Sequence, residues 1–275
     1  NRGVELTLNG DIIRNTEWRW NVGITFAKNK NEILDLYGDK KDDVGSNYFI
    51  GHSIRSYYLL DFIGVWQEDE AEEAAAYGAK PGYPKYKDIY NKEGDAPNIN
   101  LNDDRYIISR DPKWIGSLNT SVSYKGFDFS ALLQGLGGHK RLVGSYMAYA
   151  FYNGGQIQRW QAESCWKEEN PDKWAEYPRL ETLNMNDTNL QTSDYWVRNA
   201  SFLRVKNIQI GYTFPKAWTK KIGLENVRVY VSGQNLFSFN SFYKGWDPEN
   251  EIGTGDSPSY YPVNSIYSFG FNFKF

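Results

Sequence analysis

Apolar and polar residues alternate with a period of two along much of this chain. From Ser265 to Phe275, Tyr267, Phe269, Phe271, Phe273 and Phe275 share one parity, while Ser268, Gly270, Asn272 and Lys274 hold the other. That is the pattern of a strand with one nearly all-aromatic face. Near the start, Trp18, Trp20, Val22, Ile24 and Phe26 alternate with Arg19, Asn21, Gly23, Thr25 and Ala27. Before them, Val4, Leu6 and Leu8 alternate with Glu5, Thr7 and Asn9. In the middle, Trp114, Leu118, Val122 and Tyr124 lead through Lys125-Gly126 to Phe127, Phe129, Ala131 and Leu133, which predicts a hairpin with a two-residue turn. Along 201–214 the apolar parity passes from Leu203 and Val205 to Ile208, Ile210, Tyr212 and Phe214, so a bulge is expected near Lys206-Asn207.

Seven strands follow from this pattern, near 3–13, 17–28, 112–124, 127–137, 198–214, 226–237 and 265–275. The aromatic stretch Ile54 to Gln67 is also strand-like. As a further span it would reverse the direction of strand 112–124, so it is expected in a hairpin outside the wall. The acidic run Glu68 to Glu73 followed by Ala74 to Ala76 predicts a short solvated helix. Connections near residues 14, 125 and 215–225 are short, whereas 29–111, 135–196 and 238–263 are long and polar. Short turns on one rim and long loops on the other are the asymmetry of an outer-membrane barrel. The fold class expected is therefore all-β, a transmembrane antiparallel β-barrel with long extracellular loops. Single-chain bacterial barrels normally have an even strand number. Seven strands would then be completed by wall lying upstream of Asn1. The residues of opposite parity, Arg19, Asn21, Asp128, Gln134, Arg228 and Lys274, would face the lumen or a plug. Trp18, Trp20, Trp114 and Tyr124 would sit in the interfacial girdles.

Composition sharpens this picture in one respect. The chain is 17% aromatic, with 10 Trp and 21 Tyr, yet its mean hydropathy is -0.66. Helical membrane spans need about 18 or more consecutive apolar residues, and none occurs. A barrel wall hides its hydrophobicity in alternate positions. The same composition suits a soluble, aromatic-rich carbohydrate-binding β-sandwich, which is the competing architecture. In that fold the Tyr267–Phe275 face would be a buried core.

Net charge is -3 with no basic run, so nucleic acid is not an expected partner. Cys165 is the only cysteine, which excludes a disulfide framework or zinc motif. His52 and His139 are far apart in different loops, no nucleophile motif accompanies them, and Cys165 reads as an inert thiol. No catalytic residue is assigned, and an enzyme is not expected.

Ordered short motifs run the length of the chain. They are Ile54-Arg55-Ser56-Tyr57-Tyr58 with Gly64-Val65-Trp66-Gln67, Pro81-Gly82 with Lys85-Tyr86-Lys87-Asp88, and Asp103-Asp104-Arg105. Tyr124-Lys125-Gly126-Phe127-Asp128 with Gln134-Gly135 and Tyr177-Pro178-Arg179-Leu180 follow. Next come Ser201-Phe202-Leu203-Arg204-Val205-Lys206-Asn207 and Gly211-Tyr212-Thr213-Phe214-Pro215. Last are Tyr230, Ser232-Gly233-Gln234-Asn235-Leu236-Phe237, Gly245-Trp246-Asp247-Pro248-Glu249 and the terminal Phe275.

In this order they resemble the SusC/RagA-like family of TonB-dependent outer-membrane transporters, typical of Bacteroidota. The resemblance implies that residues 1–275 are the C-terminal part, roughly the last seven strands, of a barrel of about 22 strands whose lumen is plugged. The plug and N-terminal strands would lie upstream. It also implies import of glycans or oligopeptides across the cell outer membrane, with a SusD-like surface lipoprotein as partner. The TonB complex would act through the upstream segments, and outer-membrane lipid would surround the wall. Barrel-assembly machinery in such a family would recognise the terminal strand through Tyr267, Phe269, Phe271, Phe273 and Phe275.

The loop aromatics are the candidates for substrate or partner contact: Tyr146, Tyr149, Tyr152, Trp160, Trp166, Trp174 and Trp246. Packing into the loops' own small cores is the plainer role for any one of these rings, and for Phe151 beside them. No cofactor is expected. Calcium is a weak candidate at Asp88, Asn91, Glu93 and Asp95, where relatives resembling this chain carry an acidic loop. The spacing here, with residues inserted, departs from a calcium loop.

Overall fold

A computed structural model describes residues 1–90, 96–144, 148–181, 192–243, 246–250 and 263–275. Its frame is one antiparallel sheet of seven strands, ordered β1-β2-β7-β8-β11-β12-β13. These are β1 (Arg2–Arg14), β2 (Trp18–Lys30), β7 (Trp114–Tyr124), β8 (Phe127–Gly137), β11 (Phe202–Thr213), β12 (Asn226–Asn240) and β13 (Ile266–Lys274). Every wall strand expected from the alternation is present, in the expected order. Among the described residues β1 and β13 are edges, so the sheet does not close on itself.

Register carries the alternation across the sheet. Ile24 faces Leu118, Leu118 faces Leu133, Leu133 faces Val205, and Val205 faces Phe237. One step toward the short turns, Trp20, Val122, Phe129, Ile210, Val231 and Phe269 form a second such row. Among the described residues no other layer covers this face, and many of its large side chains stand open, such as Trp20, Phe129, Ile210, Val231 and Phe269, although Val205 is 9% exposed. A soluble sandwich would bury these rings against a second sheet. The structure instead presents them outward, and each apolar side chain of this size gains about 1.5–3 kcal/mol on leaving water. The sandwich alternative is therefore set aside. The opposite face is polar, as in the row Asp11, Asn21, Ser121, Ser130, Gln209, Ser232 and Ser268.

At the short-turn rim an aromatic band crosses four strands. Trp18 stacks on its register partner Tyr124 at 4.0 Å between centroids. Phe127 lies 4.5 Å from Tyr212 on the next strand. The turn between β7 and β8 has positive φ at Lys125 (43°) and Gly126 (89°), the two-residue geometry that matches strand twist. The bulge in β11 falls where the parity switches, between Val205 and Asn207. Against β12 the same irregularity places Asn235 at φ 52°.

Three expectations are refined. The segment 198–214 is two strands. Its first part, β10 (Val197–Asn199), leaves the wall to pair with β9 (Lys140–Leu142), and the chain re-enters the sheet after the Ala200 amide bonds to the His139 carbonyl at 2.9 Å. Residues 215–225 carry a helical turn, Lys216–Thr219, where a plain short turn was expected. The stretch Ile54–Gln67 lies outside the wall as expected, but as one arm only. Within it β3 (Ser56–Leu60) pairs with β6 (Arg105–Ser109) and β4 (Phe62–Val65) with β5 (Pro84–Tyr86). The acidic segment that follows forms the helix α1 (Ala71–Ala76). No helix among the described residues is long and apolar enough to cross a membrane.

Candidate functional site

Buried apolar side chains concentrate in the long loops. The largest cluster joins Val143, Ala148, Ala150, Tyr177, Tyr195, Trp196, Ala200 and Phe242. Two smaller ones centre on Val65, Trp166 and Ala175, and on Trp66, Ala74 and Tyr83. The loops thus form a platform of their own at one end of the wall.

Sequence motifs far apart in the chain meet in that platform. The Val65 amide donates to the Lys173 carbonyl, and the Arg179 amide to the Gly82 carbonyl, each at 2.8 Å. Gly82 has φ 90°, and a Cβ there would lie 2.6 Å from the Trp166 ring, so this glycine admits the indole. The Lys85 ammonium sits 3.9 Å from the Trp66 ring centroid and bonds Glu70 at 2.9 Å. Arg105 lies over the Tyr58 ring at 4.1 Å. Its neighbour Asp104 is buried and accepts from the amides of Ile89 (2.7 Å), Tyr90 (3.1 Å) and Asn100 (2.6 Å). Those three N–H groups satisfy a carboxylate that would otherwise be costly to bury.

A second junction fastens the last long loop to the wall. Arg204 is 2% exposed on β11 and bonds both oxygens of Asp247 at 2.7 and 2.6 Å, and Glu249 at 2.6 Å. Lys206, the extra residue of the bulge, also reaches Glu249, and Arg141 donates to the Pro248 carbonyl at 2.9 Å. Three consecutive residues are held by three cations. On the polar face of the wall, Arg228 bonds Asp128 at 2.5 and 2.9 Å across β11.

The loop aromatics singled out from sequence divide unevenly. Trp166 is 2% exposed, Tyr152 is buried, and Trp160 stacks against Tyr243 at 5.0 Å. Tyr149 meets Trp196 edge-on at 5.1 Å, and Phe151 and Trp246 pack against the largest cluster. Trp174 is different: its ring is 63% exposed, braced edge-on by Phe62 at 6.1 Å. Tyr146 lies outside the described residues, as do Asn91, Glu93 and Asp95. Asp88 accepts from the Tyr77 hydroxyl at 3.4 Å, and among the described residues no cluster of three or more carboxylates, histidines or cysteines could hold a metal. His52 is exposed and the Cys165 thiol points at the Ala162 carbonyl, 3.5 Å away. Tyr267, Phe269, Phe271, Phe273 and Phe275 stand open on the apolar face of the edge strand β13 or just beyond it.

Sequence reasoning did not single out the cleft where the wall runs into the platform. It has a volume of about 430 Å³ and is lined in part by Lys113, His139, Lys140, Arg198, Asn199 and Ser201. His139 donates from Nδ1 to the Arg110 carbonyl at 2.6 Å. Burial, followed by the charges of Arg141, Arg55 and Arg110, pushes its pKa below the usual histidine value despite that bond.

No protein-family model matches the chain. Among curated proteins it is 27% identical over 300 residues to TonB-dependent receptor P3 of Formosa agariphila, a match covering 100% of this chain and 28% of that protein. It is 27% identical over 288 residues to TonB-dependent receptor SusC of Bacteroides thetaiotaomicron, covering 100% of this chain and 26% of that protein. The chain thus spans little more than a quarter of the curated relatives it matches. Among solved structures, the RagAB peptide importer in its open-open state superposes with a TM-score of 0.72 at 22% identity, over 99% of this chain and 28% of that one. The closed-closed state gives a TM-score of 0.67 at 21% identity, over 98% of this chain and 29% of that one. The chain is thus similar over its whole length to TonB-dependent receptors, and its seven-stranded sheet has the fold of the corresponding part of the importer.

Proposed function

We propose that this chain forms part of a TonB-dependent import receptor that takes up glycans or oligopeptides with the help of a SusD-like surface lipoprotein. The observation that carries the proposal is the division of labour in the structure. One sheet has an uncovered apolar face and a polar face, and a packed loop platform rises from its long-loop rim. Such a wall fits a bilayer, and a platform built from buried aromatic clusters supplies a rigid outer surface. That geometry suits capture and passage rather than bond making, and no catalytic role is assigned.

Trp174 is the loop aromatic best placed to stack on a sugar or meet a lid, because its ring is open and its neighbour Phe62 fixes it. Tyr149, Tyr152, Trp160, Trp166 and Trp246 would act through the shape of the platform. The terminal strand would present Tyr267, Phe269, Phe271, Phe273 and Phe275 to the assembly machinery as it enters the membrane. Energy coupling to TonB would run through segments beyond this chain.

The test is deletion of the gene for the full-length protein in its host, followed by growth on defined peptide and glycan sources. Loss of growth on one class, restored by the gene, together with a lipoprotein co-purifying in detergent, is the expected result. Unchanged growth on all sources, or a full-length protein recovered from the aqueous fraction, would overturn the reading.

A further inference from the structure

The cleft between wall and platform has an unusual charge balance. Lys113 and Lys140 line it, and neither ammonium has a carboxylate partner or hydrogen bond among the described residues. Arg198, the third cation, is occupied by the carbonyls of Tyr195 and Val197 and by the rings of Tyr195 and Tyr243. Among the described residues, the only carboxylate in the lining is Asp194. It already accepts from the Tyr106 hydroxyl at 2.6 Å and the Phe62 amide at 2.8 Å. Burial and that carboxylate raise the Tyr106 pKa, so the phenol stays a donor to Asp194.

Backbone geometry makes room for one of these amines. Gly138 has φ 73°, and a Cβ there would fall 2.5 Å from Lys113 Cγ and 2.8 Å from its Cδ. The lysine stem therefore lies across a position that only glycine leaves empty. Gly138 is fixed in turn by its amide, which donates to Ser201 Oγ at 2.9 Å. His139 contributes no acid, since Nδ1 carries the hydrogen given to the Arg110 carbonyl, and a neutral ring then offers only an acceptor at Nε2. Two exposed lysines with no carboxylate partner among the described residues, both lining a cleft of about 430 Å³, favour an anionic ligand.

We propose that this cleft binds a carboxylate group of the imported oligomer as it passes from the platform toward the wall. The inference rests on the import reading and deepens it by naming a substrate chemistry. An acidic peptide and a uronic-acid glycan both carry that group, and matched probes distinguish them.

The experiment uses the full-length receptor purified from outer membranes with the chains that accompany it. Lysines are acetylated by a small amine-reactive ester, and the rate at each is read by peptide mass spectrometry. The probes are oligoglutamate against oligoglutamine, and oligogalacturonate against its methyl ester. Several-fold slower acetylation of Lys113 and Lys140 with one acidic probe and not its neutral partner is expected, with Lys216, Lys220 and Lys221 unchanged at the other rim. Lys113→Gln with Lys140→Gln should weaken the acidic probe about tenfold and leave the neutral one alone. Equal rates with every probe, or equal protection by acidic and neutral partners, would overturn the proposal. A receptor that still imports its nutrient while showing no such protection refutes the cleft alone, whereas failure of the deletion phenotype refutes the import reading itself.

Discussion

Arg204 on β11 holds Asp247 by both carboxylate oxygens, at 2.7 and 2.6 Å, joining two motifs that lie 43 residues apart. Its guanidinium is almost wholly buried, and it also bonds Glu249. A buried cation of this kind is tolerated because its donors are matched by two carboxylates in fixed geometry. The pairing ties the last long loop to the wall at the β11 bulge, which brings Lys206 to the same Glu249.

Removing one partner should therefore be severe. Arg204→Ala leaves Asp247 and Glu249 facing each other without their main cation, at a cost of about 3–5 kcal/mol. The expected outcome is faster proteolytic cutting at 246–250, with the wall strands still protected. Arg204→Lys should rescue little, because an ammonium cannot supply the forked contacts.

The ion pair between Arg228 and Asp128 depends on a glycine between them. A Cβ at Gly211 would fall 2.5 Å from the Arg228 guanidinium and 2.6 Å from the Asp128 carboxylate. Gly211→Val should break the pair and lower the thermal unfolding temperature of the purified receptor. Gly211→Ala should do so by less, and Gly211→Val in an Asp128→Asn, Arg228→Gln background should add little further loss, because the pair it disrupts is already gone.

Asn235 adopts φ 52°, a left-handed conformation imposed by the bulge. Asn235→Gly should be neutral or slightly stabilising. Asn235→Val should cost about 1–2 kcal/mol, since a β-branched side chain clashes in that region. Denaturation of the folded barrel, compared by heat-dependent gel mobility, checks the order Gly, Asn, Val.

His139 gives the platform a pH dependence of defined sign. Its folded pKa lies below the ordinary value of 6.5, so the unfolded state binds the proton more readily. Its contribution to stability is present above that ordinary value and is lost as pH falls through the lowered folded one. Platform protection from proteolysis should decline below about pH 6, and His139→Gln should flatten the decline. A decline unchanged in that variant would place the titration elsewhere.

The wall was legible in the sequence because period-2 alternation is a local signal that a membrane enforces on every strand. Even the bulge was visible, as the parity switch from Val205 to Ile208. The break at Ala200 was not, because it depends on β9 competing for residues 197–199, a contact set by the fold. Asp128 and Arg228 could each be placed on the polar face, but their pairing required the register through Gly211. In the loops, nothing local distinguishes Trp166 from Trp174. Gly82 makes the slot that buries the first, and only packing leaves the second open. The cleft between Lys113 and Lys140 was silent for the same reason.

In a bilayer the uncovered apolar face should meet lipid and the other face should not. A spin-label scan of positions 266–274 tests this in the full-length receptor, reconstituted in bilayers on a cysteine-free background that includes Cys165→Ser. Collision with oxygen, which concentrates in the membrane, and with a water-soluble nickel chelate would be measured at each site. A two-residue alternation is expected, with oxygen contact highest at 267, 269, 271 and 273 and nickel contact out of phase with it. Uniform nickel access along the strand, or burial of both parities from both reagents, would contradict it.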